Sequence, residues 1–166
     1  MKKITVIFFV FMMGLKAYPQ GNPSKVDVGD KAFDIKGLDE TGKEIKLSDY
    51  YGEKYILLNV TATYCNGCWK TYDHMNEAQD KYGDKLKVIS FHYDDLRDQW
   101  NKIAKHSEID FRCTSIWEAE NKSQISKTYQ IDGFPYFFII DKEGIIVEKW
   151  LGISKIRMNW KLKKYL

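Results

Sequence analysis

Apolar residues fall into blocks of different spacing along the chain, and each spacing predicts an element. Tyr55–Val60 (YILLNV) is almost continuously apolar, as a strand buried on both faces requires. Leu86–Tyr93 (LKVISFHY) is a second such block. Between them, Asn66 to about Tyr82 sets Trp69, Tyr72, Met75 and Gln79 at helical spacing, which predicts one helix. Leu96–His106 carries Leu96, Trp100, Ile103 and Ala104 on one face, a second amphipathic helix. Ser123–Tyr129 reads as a short helix and Ser154–Leu166 as a closing one. Tyr136–Ile140 (YFFII) and Ile145–Trp150 (IIVEKW) are strands around Asp141-Lys142-Glu143-Gly144, a hairpin signal. Nearer the start, Lys43–Leu47 alternates polar and apolar residues after an Asp-Glu-Thr-Gly turn, as a short hairpin strand does.

Strands separated by helices imply parallel pairing through crossovers, and the late hairpin adds antiparallel strands. The predicted fold class is therefore α/β, a mixed central sheet with helices on both faces. At 166 residues, with no repeat and no Pro/Gly/Ser linker after residue 26, the chain holds one domain.

The first twenty residues stand apart. Lys2 and Lys3 precede an apolar run of twelve, Ile4–Leu15, followed by KAYPQGNPSK. A basic start, a short apolar core and turn-forming residues make a secretory signal peptide. A transmembrane helix needs roughly 20 apolar residues, so an uncleaved anchor is the weaker reading. Cleavage near Ala17 or Gln20 leaves 21–166 as the mature domain, exported to the periplasm, where disulfides persist. The net charge of +3 resides in the same segment. Its Lys2, Lys3 and Lys16 come off the 26 basic side chains to leave 23, against 23 acidic ones. A neutral mature chain lacks the basic excess that a nucleic-acid partner demands.

Three cysteines are too few for a disulfide scaffold, so each needs its own explanation. Cys65-Asn66-Gly67-Cys68 follows a buried strand and opens a helix, the setting of a thiol–disulfide redox pair. Unpaired N–H groups and the dipole at a helix N-terminus stabilise negative charge, which makes Cys65 the more acidic thiol and the nucleophile. Cys68, one turn on, can bridge back and resolve a mixed disulfide. A zinc site or a plain structural bridge are the competing readings. Zinc usually takes a second ligand pair, whereas Cys113, His74, His92 and His106 are scattered singly. No metal site and no bound cofactor are expected beyond the redox-active pair itself. Cys113 reads as an inert core thiol ahead of an intermolecular bridge or a second resolving thiol, the three histidines as surface or satisfied residues, and Asp94-Asp95 as the N-cap of the helix at Leu96 ahead of a metal pair. The basic run Lys155, Arg157, Lys161, Lys163 and Lys164 has no acid; a basic helix can lie on a membrane, but the favoured reading is that its cations near the helix C-terminus stabilise the closing helix.

Several segments, in order, carry a resemblance: Val28-Gly29-Asp30-Lys31-Ala32-Phe33, Gly42-Lys43, Leu47-Ser48-Asp49-Tyr50-Tyr51-Gly52, Leu57-Leu58-Asn59, Ala62-Thr63-Tyr64-Cys65, Gly133-Phe134-Pro135 and Phe138–Gly144. From about Val26 to Gly152 the chain resembles exported thioredoxin-fold proteins of the TlpA/ResA type, relatives of the alkyl-hydroperoxide-reductase/redoxin group. The resemblance implies a three-layer thioredoxin-like fold with an N-terminal β-hairpin extension. It implies that Pro135 is a cis-proline facing the cysteines and that Phe134 offers its backbone to a substrate strand. Tyr64 and Trp69, on either side of the cysteine pair, are this chain's own further candidates for client binding.

The chain also departs from that pattern. Val60, Thr61 and Tyr64 replace the usual Phe-Trp and Trp around the strand end, and Asn66-Gly67 replaces a proline-containing dipeptide. Thr71 and Asp73 stand where relatives often have Glu and Pro, and Asn59 stands where an acid can serve the second cysteine. The base for Cys68 is thus unidentified. The expected activity is exchange of disulfides with protein clients, as a reductant fed by a membrane electron donor and working as a monomer. Alternatives are a metal- or haem-handling thiol chaperone, and a thiol peroxidase. The last is disfavoured by Ala62 and Leu58, where peroxidases place Thr or Ser and Pro.

Overall fold

The computed structural model describes residues 25–166; the expected signal peptide lies outside them. In chain order the elements are β1 (Lys36–Leu38), β2 (Glu44–Lys46), β3 (Tyr55–Thr61), α1 (Asn66–Trp69), α2 (Tyr72–Tyr82), β4 (Leu86–His92) and α3 (Arg97–His106). Then follow β5 (Thr114–Ile116), α4 (Lys122–Tyr129), β6 (Tyr136–Ile140), β7 (Ile146–Leu151) and α5 (Lys155–Tyr165). Five strands form one mixed sheet in the order β5-β4-β3-β6-β7. β3 pairs parallel with β4 and antiparallel with β6, so the end of β3 and the start of β6 share one edge of the fold.

Alternation along the central strands feeds two cores. Ile56, Leu58 and Val60 of β3 join Ile89, Phe91, Phe138 and Ile140 on one face, beneath Ile125 and Tyr129 of α4. Leu57, Val88, Phe137 and Ile139 face the other way, beneath Tyr72, Met75 and Ala78 of α2, Trp100 of α3, and Met158 and Leu162 of α5. A continuous apolar run satisfies both faces at once, which is why β3 and β6 lie where the pattern predicts them.

The β1–β2 hairpin closes on Asp39, whose Oδ1 accepts from the N–H groups of Thr41 (2.8 Å) and Lys43 (3.0 Å). It covers the outer edge of β5: Leu38 bridges Trp117, and Glu40 Oε1 accepts from Ser115 N–H at 2.5 Å. Gly37 permits this approach, since a Cβ there would stand 2.4 Å from Trp117 C=O. An exposed sheet edge is thereby removed.

Three expectations fail here. The helix predicted over Asn66–Tyr82 is two helices, because Thr71 turns both its N–H (3.0 Å) and its hydroxyl (2.7 Å) to Cys68 C=O. Asp94 and Asp95 do not cap α3. Asp94 bonds Thr63, while Asp95 accepts from Glu118 N–H and pairs with Lys122. Leu96 stands before the helix and is exposed. β5 was not anticipated at all.

His92 is also neither a surface residue nor fully satisfied. It is buried on the α2 face, stacked on Trp117 (3.5 Å between centroids), with Nε2 3.2 Å from Ser115 Oγ and no partner for Nδ1. Burial lowers its imidazole from 6.5 to about 3, and Arg97 adds to the shift. The unfolded chain therefore holds one more proton between those values, so stability is full above pH 6.5 and falls toward pH 3. Replacing His92 with Phe should remove up to one proton's slope, about 1.4 kcal/mol per pH unit, from urea unfolding between pH 6.5 and 4.5. Equal slopes in the two proteins would contradict this account.

Candidate active site

The chain leaves β3 at Thr61, turns through Ala62–Tyr64 and enters α1 with Cys65 as its N-cap. Cys65 and Cys68 are joined in a disulfide with Cα atoms 5.3 Å apart. Cys68 N–H points at Cys65 Sγ (3.1 Å), so a helix-terminal donor already aims at that sulfur. Were Cys65 a thiolate, the same donor and the helix end would stabilise its charge. The two sulfurs differ in access. Cys65 is part-exposed between exposed Tyr64 and Asn66, whereas Cys68 is 1% exposed.

The loop that carries Cys65 is held on two sides. Thr63 donates its N–H to Asp94 Oδ2 (2.6 Å) and its hydroxyl to Asp94 Oδ1 (3.1 Å). From the other side Trp69 Nε1–H donates to Thr63 C=O at 3.3 Å, and its ring stacks on Trp100. Asp94 reaches Thr63 because β3 and β4 are parallel, with Thr61 opposite His92, so both chains leave the sheet together.

The β6 side completes the site. The Phe134–Pro135 peptide bond is cis, and Pro135 is buried just before Tyr136, which pairs with Val60. The Phe134 ring meets Tyr64 edge-on (6.1 Å) and Tyr93 (5.5 Å). The β6–β7 ladder ends with Gly152 N–H on Pro135 C=O (2.9 Å), one residue short of Phe134. All six predicted site residues, Cys65, Cys68, Tyr64, Trp69, Phe134 and Pro135, therefore gather at one end of the sheet.

Sequence reasoning missed Thr63, Asp94 and Thr71. A signal for Asp94 existed, since parallel neighbours deliver the residues after their C-terminal ends to the same place. Asn59 is fully buried; its amide donates to Ser90 Oγ (3.2 Å) and its Oδ1 has no partner. Asp73 is exposed. Cys113 is buried, and desolvation pushes its thiol up to about 12. Among the described residues no group of three or more His, Cys, Asp or Glu is placed to hold a metal ion, and no helix is long and apolar enough to cross a membrane.

The sequence profile of the AhpC/TSA family matches residues 28–149. The thiol-disulfide oxidoreductase ResA of Bacillus cereus is 30% identical over 163 residues, covering 92% of this chain and 91% of its own. A Chlorobium tepidum structure provisionally named thiol:disulfide interchange protein DsbE superposes with a TM-score of 0.74 at 26% identity, over 84% of this chain and 98% of that one. The thioredoxin domain of a thiol-disulfide oxidoreductase from Bacteroides vulgatus shares the fold, with a TM-score of 0.71 at 22% identity over 84% of this chain and 99% of that one.

Asp94→Ala leaves the buried Thr63 N–H and hydroxyl without acceptors and should cost about 1.5–3 kcal/mol in urea unfolding. Asp94→Asn keeps one acceptor and should cost less; equal costs would show that the tie to Thr63 does not stabilise the fold. For Cys113, a thiol reagent at pH 8 should find no reactive group in the native oxidised chain and one after denaturation. A native titre of one would refute its enclosure.

Proposed function

The chain belongs to the AhpC/TSA family and is a protein thiol–disulfide oxidoreductase; from that premise we propose that it works outside the cytoplasm as a reductant, with Cys65 attacking and Cys68 resolving. The observation that carries these roles is the unequal access of the two sulfurs: Cys65 is part-exposed at a helix N-cap, Cys68 almost wholly enclosed. A client disulfide can approach only the first.

Exchange then runs in two steps. The Cys65 thiolate attacks one sulfur of a client disulfide; the Cys65–client bond forms, the client S–S bond breaks, and one client thiolate leaves to take a proton from water. Cys68 gives its proton to water and attacks Cys65 Sγ. The Cys65–Cys68 bond forms and the second client thiolate leaves, so two electrons have passed from the pair to the client. The electrons move between sulfurs, and the reading needs no bound cofactor.

A client chain lies beside Phe134 as an added strand, with Pro135 and Tyr64 shaping the entry and the outer edge of Trp69 bordering it. Export rests on the basic and apolar character of residues 1–20. Outside the cytoplasm, the reducing direction calls for a membrane electron donor to regenerate the dithiol, and one chain suffices for each exchange. Peroxidase chemistry, which the family name also covers, is disfavoured by Ala62 and Leu58 in place of Thr or Ser and Pro.

The test is the reduction potential of Cys65–Cys68 with Cys113→Ser, read by Trp69 fluorescence in graded thiol buffers. A value at or below about −250 mV is expected, and a value near −120 mV would make the protein an oxidant instead. Cys68→Ser should trap a disulfide between Cys65 and a disulfide-bearing protein such as insulin. No trapped adduct would remove the assigned roles.

A further inference from the structure

The described residues expose few large apolar side chains, and five of them belong to the Cys65 loop or to the stretch of chain that runs from the end of β7 into α5. Tyr64 is 65% exposed, Leu151 and Ile153 44%, Ile156 84% and Trp160 65%. These five are linked. Tyr64 follows on from Thr63 beside Cys65 and meets Phe134. The β6–β7 register sets Leu151 opposite Tyr136, and Gly133 packs so closely on Leu151 that a Cβ there would stand 3.1 Å from its Cδ1. Ile153 comes two residues later, and α5 starts at once.

On α5 the inner face is taken by Met158 and Leu162, which are buried against the sheet. Ile156 and Trp160, four residues apart, project from the opposite face. Nothing about the helix is loose. Ser154 Oγ accepts from Arg157 N–H (3.2 Å), and Lys155 pairs with Glu77 of α2 (2.6 Å). An isoleucine and a tryptophan are thus held outward on a well-anchored helix, where the hydrophobic effect favours covering them.

We propose that the Ile156–Trp160 face of α5 is a second docking point for client proteins, continuous with the disulfide-exchange site by way of Leu151 and Ile153. The proposal rests on the exchange reading of Cys65–Cys68. A client strand laid beside Phe134 runs on over Leu151 and Ile153. From Ser154 to Trp160 the helix extends about 9 Å, the reach of roughly three extended residues.

Charge narrows the partner further. Lys155, Lys161 and Lys164 are paired with Glu77 and Glu148, whereas Arg157, which donates to Leu151 C=O (3.2 Å), and Lys163 have no carboxylate partner among the described residues. The ridge is apolar, with two cations beside it that no carboxylate among the described residues neutralises. It fits a client whose cysteine is flanked by an apolar segment set among acidic residues.

The experiment uses the reduced chain with Cys113→Ser and three disulfides. Two are peptides joined through one cysteine to glutathione: one has Leu-Phe-Leu between glutamates on both sides of the cysteine, the other Ser and Gln at those positions. The third is oxidised glutathione. Release of glutathione is timed for this protein and for one also carrying Ile156→Ser and Trp160→Ser. With its ridge intact, the protein should react at least tenfold faster with the apolar acidic peptide than with the polar one. The ridge variant should lose that preference while keeping its rate with oxidised glutathione within twofold. Arg157→Glu with Lys163→Glu should lose most of it too. A preference that survives in the ridge variant would overturn the proposal, as would an equal slowing with oxidised glutathione. Ridge-dependent sedimentation with phosphatidylglycerol vesicles, or a ridge-dependent dimer, would assign the face to lipid or to a second copy and overturn it as well. Failure of the intact protein to react with any of the three disulfides would defeat the exchange reading itself.

Discussion

The site depends on one constraint, the pairing of β3 between a parallel neighbour and an antiparallel one. Parallel pairing with β4 sends both chains out of the sheet at the same end, so Asp94 arrives beside Thr63. Antiparallel pairing with β6 brings the start of that strand to the same end, so Pro135 and Phe134 arrive beside Tyr64. A one-residue slip of β3 would exchange its two faces and lose both cores as well as the site. The apolar run of β3 makes that slip costly, because Ile56, Leu58 and Val60 and, on the other side, Leu57 are each fully used.

The three thiols show how position decides reactivity when the residue type is the same. Cys68 and Cys113 are both buried, yet Cys68 lies one turn inside a helix whose cap is its disulfide partner. At Cys113 desolvation outweighs the nearby Arg112 and Lys87 cations, and its thiol is held up to about 12. Cys65 combines partial exposure with a backbone donor on its sulfur. Access and a backbone donor aimed at the sulfur coincide at this one cysteine.

Much of this was legible in the residues. Long apolar runs placed β3 and β6 to within a residue, and Cys65-Asn66-Gly67-Cys68 at a strand–helix junction placed the chemistry. The break between α1 and α2 was not legible, because Lys70 and Thr71 keep helical dihedral angles and the apolar spacing runs straight through. Only the choice of hydrogen-bond partner changes there. β5 is three residues long and its outer side is satisfied by the hairpin, which local pattern does not report. Asp94 and Asp95 have the composition of a helix cap, but tertiary donors in Thr63 and Glu118 compete for them and win. His92 escaped because a histidine in an apolar strand looks like any other outward polar residue until Trp117 is seen stacked on it.

A cysteine loop held by Asp94 and Trp69 has a consequence for how exchange is achieved. The attacking, central and leaving sulfurs must come into line, and alignment accelerates a reaction only where the partners are held. Here the protein's half of that geometry is set in advance, since Thr63 is fixed through its N–H, its hydroxyl and its carbonyl. The remaining freedom belongs to the client, whose disulfide must be brought to Cys65 Sγ in the right orientation. In the proposed mode, backbone pairing at Phe134 restrains the client's direction but says little about its sequence. Side-chain selectivity then comes from surface beyond that strand, and exposed Leu151 and Ile153 lie in the chain between β7 and α5. A rigid cysteine loop and an extended docking ridge are in this sense two parts of one device: the first fixes where the sulfur waits, the second decides whose disulfide reaches it.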